Sequence, residues 1–323
     1  MSKTRSILLL LAVLLLSWGG ARAQQAPIFT NYTNSYAYIN PGFAGLSEGV
    51  NLLGLYRQQW AGTFMAQDGG QTVDLAPTTF LLTGDMPIRA LGGGISFSVM
   101  NDKLGYENNV NVGLGYSYHI DMGGSTLGIG ASVSLLNRSL DFSQLIFGTT
   151  GDPLQLNDER SSMLFDVSAG VFWQIPESFY IGFSAINLLE TTTKALGDSD
   201  NGASFTTDRT FYAVAGYPFV IETLPIFKFV PSVGVMSDIA STQRNAGMKV
   251  IYSDVFSLGV NYRPQESVGL TVGLAIKDFM IGYAYDINTM GLNIRGSHEI
   301  ALSYCFKLDT DRTPRDYRSV RYL

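Results

Sequence analysis

The chain has 323 residues, of which 46% are hydrophobic and 15% charged, with 35 glycines and one cysteine. Its formal net charge of −6 argues against a nucleic-acid partner, because phosphate binding needs basic patches. One cysteine in an exported chain excludes an internal disulfide framework, and so low a charged fraction is unusual for a soluble domain.

In chain order, Lys3 and Arg5 precede the unbroken apolar run Ile7–Leu16, and Ala21-Arg22-Ala23 follows as a small-x-small cleavage site. This reads as a secretory signal peptide over residues 1–23, with Gln24 as the mature start. The competing reading, a membrane-anchoring helix, needs roughly 20 apolar residues to cross the hydrocarbon, and this run is too short. Removal of residues 1–23 takes away Lys3, Arg5 and Arg22, which leaves 18 basic against 27 acidic side chains and a net charge of −9. No later stretch reaches 18 apolar residues, so no spanning helix is predicted.

Residues 24–48 form a leader that carries Phe29, Tyr32, Tyr36, Tyr38 and Phe43 but only one charged side chain, Glu48. Asn40-Pro41 favours a turn there rather than a strand. So many aromatics on a free segment would expose apolar surface without benefit.

From residue 49 the hydrophobic period is two. Residues 109–120 place Val110, Val112, Leu114, Tyr116, Tyr118 and Ile120 on one face and small or polar residues on the other. Val268, Leu270, Val272, Leu274 and Ile276 alternate in the same way with Gly269, Thr271, Gly273 and Ala275. This alternation marks strands with one apolar and one wet face. It predicts fourteen strands: 49–60, 77–88, 91–101, 107–120, 125–138, 161–173, 178–189, 207–219, 227–238, 243–253, 255–263, 266–277, 278–287 and 297–308. The first, second and ninth alternate poorly. Connections of odd rank, such as 61–76, 139–160 and 190–206, are long and polar, and those of even rank are generally short. Outer-membrane barrels have long extracellular loops and short periplasmic turns. Trp60, Tyr118, Trp173, Tyr217, Tyr262, Tyr285, Tyr304 and Phe306 lie near strand ends, where interfacial aromatic girdles sit. The reading is all-β: a transmembrane antiparallel β-barrel of the outer membrane over residues 49–308, with about 14 strands, both termini periplasmic, and a periplasmic tail over 309–323. The leader 24–48 is expected to fold against the inside or the periplasmic mouth of this barrel, as a periplasmic leader or plug segment. A soluble sandwich or propeller also gives alternating strands, but no repeat of 40–50 residues appears.

Little in the chain points to chemistry. His119 and His298 lie on strands far apart in sequence, and no Gly-x-Ser-x-Gly elbow accompanies them. Two histidines and Cys305 at unrelated spacings make no metal cluster. Asp198-Ser199-Asp200-Asn201-Gly202 resembles a fragment of a calcium loop but lacks the distal glutamate. Cys305 shares a face with Lys307, weak support for a reactive thiol. Arg312, Arg315, Arg318 and Arg321 in the tail are nearly balanced by Asp309, Asp311 and Asp316. No catalytic residue, cofactor or metal site is expected.

Several boxes carry a family likeness. Ile28-Phe29-Thr30-Asn31-Tyr32 is followed by Ile39-Asn40-Pro41-Gly42-Phe43-Ala44-Gly45 and then by Leu55-Tyr56-Arg57-Gln58-Gln59-Trp60. Asn101-Asp102-Lys103-Leu104-Gly105, Leu140-Asp141-Phe142 and the Gly-x-Ser-x-x-Asn-Leu core at Gly182–Leu188 come after. Together these resemble the PorP/SprF family of type IX secretion system membrane proteins from Bacteroidota. There are departures: Gly42 stands where the family often has Ala, and Asn34-Ser35 replaces a common Asn-Pro. The resemblance implies an outer-membrane accessory of the secretion and gliding machinery that anchors or presents secreted proteins by their C-terminal domains. It also implies periplasmic secretion-ring or peptidoglycan-anchored partners. It marks Ile39, Asn40, Pro41, Ala44, Gly45, Tyr56, Arg57, Trp60, Asn101, Asp102 and Gly105 as motif positions whose role the sequence does not reveal. The rival readings are a small-solute pore or transporter and an outer-membrane enzyme. The inward positions around Ser96, Ser98, Ser132 and Ser134 do not make the charged constriction that many pores carry.

Overall fold

The computed structural model describes residues 27–47, 49–68, 71–141, 159–193, 204–291 and 294–307. The signal peptide, the tail 309–323 and the Asp198–Gly202 fragment lie outside these residues. The strands are β1 (Gly49–Gln58), β2 (Met65–Asp68), β3 (Gln71–Asp74), β4 (Thr78–Ile88), β5 (Gly93–Leu104), β6 (Glu107–Asp121), β7 (Thr126–Asp141), β8 (Glu159–Ile175) and β9 (Phe179–Ile186). They continue as β10 (Thr210–Gly216), β11 (Phe219–Val220), β12 (Phe227–Ser237), β13 (Thr242–Tyr252), β14 (Phe256–Arg263), β15 (Ser267–Ile276), β16 (Phe279–Asn288) and β17 (Ser297–Lys307). Among the described residues no helix is long and apolar enough to cross a membrane.

Fourteen of these strands form a closed antiparallel barrel. Sequence neighbours pair, β1 pairs with β17 from Gly49↔Lys307 to Gln58↔His298, and β10 with β12 from Phe211↔Ser237 to Gly216↔Ser232. Closure leaves no sheet edge around the wall and satisfies the backbone without water, which lipid demands. The fourteen predicted strands coincide with the fourteen of the wall. The sequence did not reveal the β2–β3 hairpin inside the first long loop, nor the two-residue β11, which continues the β10 ladder against β12. Strand length also varies more than expected: β6, β7 and β8 have 15, 16 and 17 residues, while β10 has 7.

The two faces separate as the alternation requires. Val112, Leu114, Leu270, Val272, Ile300 and Leu302 are between 45% and 61% exposed on the outer face. Their inward neighbours, such as Ser117, Thr271 and Ala301, are at most 8% exposed. Lipid replaces water as the solvent of that outer belt, so a cation there is expensive. Val272→Arg is expected to cost about 2–4 kcal/mol near the midplane, read as a lower unfolding midpoint in detergent, with Val272→Ile close to the parent. Equal midpoints for both variants would put Val272 on the wrong face.

Both ends of the barrel ladder, Gly49 and Lys307, lie at one rim, together with the short turns, while the long connections lie at the other. The lumen is filled from within. Residues 27–47 contain two single 3-10 turns, Tyr32–Asn34 and Pro41–Phe43, flanking a one-turn helix, Tyr36–Ile39. The segment joins β1 at the short-turn rim, but its first described residues lie at the long-loop rim, beside Arg57 and Glu299. This path differs from the expectation of an N-terminus held at the short-turn mouth. The physical reason is a set of charged groups at the far end that binds Thr30 and Asn31.

Candidate functional site: the occupied lumen

The segment is held in three layers. At the long-loop end four charged side chains, Arg57, Arg263, Asp286 and Glu299, are each no more than 3% exposed. Arg57 and Glu299 face each other across β1 and β17. Arg57 Nη1 lies 2.9 Å from Asp286 Oδ2 and 3.3 Å from Glu299 Oε2, and Arg263 Nη2 lies 2.6 Å from Asp286 Oδ2. The opposite charges offset desolvation, as buried ions require. The leader completes the set. Thr30 N–H donates to Glu299 Oε2 at 2.9 Å, Asn31 N–H to Glu299 Oε1 at 2.8 Å, and the Thr30 hydroxyl to Asp286 Oδ1 at 2.6 Å. Backbone N–H groups given to a carboxylate make charge-assisted bonds, roughly twice as strong as neutral ones.

The middle layer is aromatic. Tyr36, Phe43, Phe172 and Tyr180 are at most 1% exposed. Tyr36 lies 5.6 Å from Phe43 and 5.5 Å from Phe172 between ring centres, and Phe172 stacks on Tyr180 at 5.9 Å. The Tyr36 hydroxyl donates to that of Tyr180 at 3.0 Å, so its buried oxygen is not orphaned. On the opposite flank Phe29 and Tyr38 pack with Leu53, Leu55, Leu81 and Met100, which point inward from β1, β4 and β5.

Toward the short-turn rim the Asn-Pro-Gly box seats against glycine-rich wall. Asn40 accepts from the Gly42 N–H at 2.9 Å and donates through Nδ2 to the carbonyl oxygens of Val171 and Phe183. Ser184 donates to the Ile39 carbonyl at 2.6 Å, and Ser117 to the Gly42 carbonyl at 3.0 Å. A Cβ on Gly130 would sit 2.3 Å from Pro41 O, and one on Gly94 2.5 Å from Ala44 O. The small inward residues of β5, β7 and β8 therefore provide room for another backbone. Gly45, at φ +68° and with Gly94 Cα 2.6 Å from where a Cβ would stand, makes the turn that aims the chain at β1. Its N–H and the Ser47 hydroxyl both reach Asp85 Oδ2.

The motif positions thus divide. Ile39, Asn40, Pro41, Ala44 and Gly45 are buried between segment and wall, and Arg57 joins them at the far end. Asp102 points inward and accepts from the Thr79 hydroxyl at 2.6 Å. Tyr56 is 44% exposed on the outer face. Trp60, at φ +56°, stands in the first long loop with Phe64 at 5.9 Å. Asn101 lies on the outer side of β5, and Gly105, at φ +60°, turns β5 into β6. Arg263, Asp286 and Glu299 were missed by the sequence reading. Their signal was available, since a charge within a lipid-spanning strand belongs on the lumen face.

The histidines do not meet. His119 Nε2 bonds the Ala44 carbonyl at 2.9 Å, while His298 is exposed on the outer face with Nδ1 2.8 Å from the Tyr283 hydroxyl. Among the described residues no group of three or more His, Cys, Asp or Glu is placed to hold a metal ion. Lys307's side chain lies outside the described residues, and Cys305 points toward the lumen face at Asn51.

A closed antiparallel barrel with an apolar belt outside and its own N-terminal segment inside is an outer-membrane protein. The family model described as "Type IX secretion system membrane protein PorP/SprF" matches residues 21–304, and the chain belongs to that family. No curated protein sequence matches the chain. Among solved structures it is similar to the toluene transporter TodX of Pseudomonas putida, with a TM-score of 0.47, 11% identity and coverage of 84% of this chain and 93% of that one. The toluene transporter TbuX of Ralstonia pickettii gives 0.46 and 13%, covering 84% and 94%. The translocator domain of the autotransporter NalP from Neisseria meningitidis gives 0.38 and 12%, covering 85% and 95%.

Proposed function

We propose that the protein is a sealed barrel receptor of the type IX secretion and gliding machinery, which anchors or presents a secreted protein at the cell surface by its C-terminal domain. The observation that supports this is the occupied lumen. A solute pore needs a wet path lined by groups that face the solute. Here Tyr36 and Phe43 are fully buried against the wall, and the arginines at the long-loop end are neutralised by wall carboxylates. The outer belt takes lipid, the long-loop rim takes the secreted domain, and the short-turn rim takes periplasmic ring or peptidoglycan-anchored components. The signal peptide delivers the chain to this site, and no catalytic step is part of the proposal.

Two measurements test it. With Cys305 replaced by Ser, Ala240→Cys in the turn after β12 should react with a membrane-impermeant maleimide on intact cells. Met122→Cys, after β6, should react only once the outer membrane is opened; the reverse pattern sinks the orientation. The purified barrel should also bind the C-terminal domain of a type IX cargo from its own host and not an unrelated secreted domain. Absence of binding to any such domain, together with porin-like conductance of the intact protein, would favour the solute-pore reading.

A further inference from the structure

The lumen is not filled evenly at its long-loop end. Beside the first described residues runs a half-open crevice of about 490 Å³, with an apolar floor made by Phe29, Tyr32, Val214 and Met236. Gln243 and Asn245 stand on its wall. Their side-chain oxygens, Oε1 and Oδ1, are buried and accept no hydrogen bond. Buried acceptors are nearly always met by a donor, and two orphans on one wall mark a place where donors belong.

The chain itself supplies a candidate. Pro27 lines the crevice, and Gln24, Gln25 and Ala26 precede it. Three residues reach no further than about 10 Å, so whatever lies immediately before Pro27 stays beside this wall. The three carry no side-chain charge. They offer two primary amides and their backbone N–H groups, the donors the wall lacks, and a small apolar side chain for the floor. We propose that the crevice binds the mature N-terminal segment Gln24–Ala26, whose donors satisfy Gln243 and Asn245. A chain that retained its signal peptide would bring Arg22 next to Arg263, which also lines the crevice, with the long apolar run behind it. Signal removal after Ala23 and closure of the long-loop end of the lumen then become one event.

The test uses the purified mature protein in detergent with Cys305→Ser as background, so the result does not depend on which partner the barrel binds. Intact mass first establishes that the chain starts at Gln24; any other start removes the proposal. Gln25→Cys should react with a bulky maleimide at least about tenfold more slowly than Ala240→Cys on the neighbouring rim, as expected of a site that opens only by local release. Adding Gln243→Leu and Asn245→Leu should bring the rate toward that of Ala240→Cys, with heat-modifiable gel migration showing that the barrel is still folded. Rapid labelling of Gln25→Cys overturns the proposal. So does slow labelling that the two leucines leave unchanged, because the segment is then sheltered by something other than this crevice. Loss of heat-modifiable migration moves the test to Gln243→Ala alone, judged on the same two outcomes.

Discussion

Deletion of residues 26–44 is expected to convert a closed barrel into a conducting one, with single-channel conductance in planar bilayers rising by at least about tenfold over the parent, since lumen width grows with strand number. The deleted segment carries Tyr36 and Phe43 and all the backbone that lies against Gly94, Gly128, Gly130 and Gly170. Without it the inner faces of β5–β8 present Ser96, Ser98, Asn111, Ser132, Ser134 and Ser168 to the lumen, a surface that water wets readily. The wall should still form, because β1 is zipped to β17 and β4 along its length without help from the segment. Insertion and heat-modifiable migration should therefore survive. The deleted protein should be less stable than the parent, since Leu53, Leu55, Leu81 and Phe172 lose their apolar partners. Unchanged conductance in a correctly inserted deletion protein would mean that another part of the chain closes the lumen.

Glu299→Ala carries the second large effect. Glu299 is 1% exposed, receives the N–H groups of Thr30 and Asn31, and lies 3.3 Å from Arg57. Its removal leaves two backbone donors without an acceptor and unbalances the charge beside Arg57, whose remaining carboxylate partner is Asp286. Loss of one partner of a buried ion pair costs about 3–5 kcal/mol. A lower denaturation midpoint in detergent should be accompanied by faster amide exchange at Thr30 and Asn31. The double variant Arg57→Met, Glu299→Leu should be milder than Glu299→Ala, because it removes both charges and leaves Asp286 with Arg263. If the double variant were the worse of the two, direct packing of these side chains rather than charge balance would govern the site.

The filled lumen also explains why some strands were hard to read. β1, β4 and β12 alternate poorly in sequence. Leu53 and Leu55 in β1, Leu81 in β4, and Val230 and Met236 in β12 point inward, yet are buried, because the leader and not water covers them. A strand with lipid on one face and an apolar segment on the other loses the period of two that marks a half-wet strand. Thr271 illustrates the same point from the polar side: its position on the wet face of a clear alternation suggests water, but it is 8% exposed in the filled lumen.

Period-two alternation and the inequality of alternate loops were sufficient for the barrel, its strand number and its lipid face, because lipid acts on every second residue and leaves a local record in the chain. The family boxes marked Asn40, Gly45 and Arg57, but local pattern carries no information about what faces them. That Glu299 and Asp286, more than 200 positions away, bind Thr30, and that Gly128, Gly130 and Gly170 clear space for Pro41 and Gly42, depends on curling fourteen strands into a closed wall. Only that closure brings the two ends of the sequence together and decides the direction in which the leader crosses the lumen. The reason is physical: charges and close backbone contacts inside a barrel are satisfied across its diameter, between residues that no local periodicity relates.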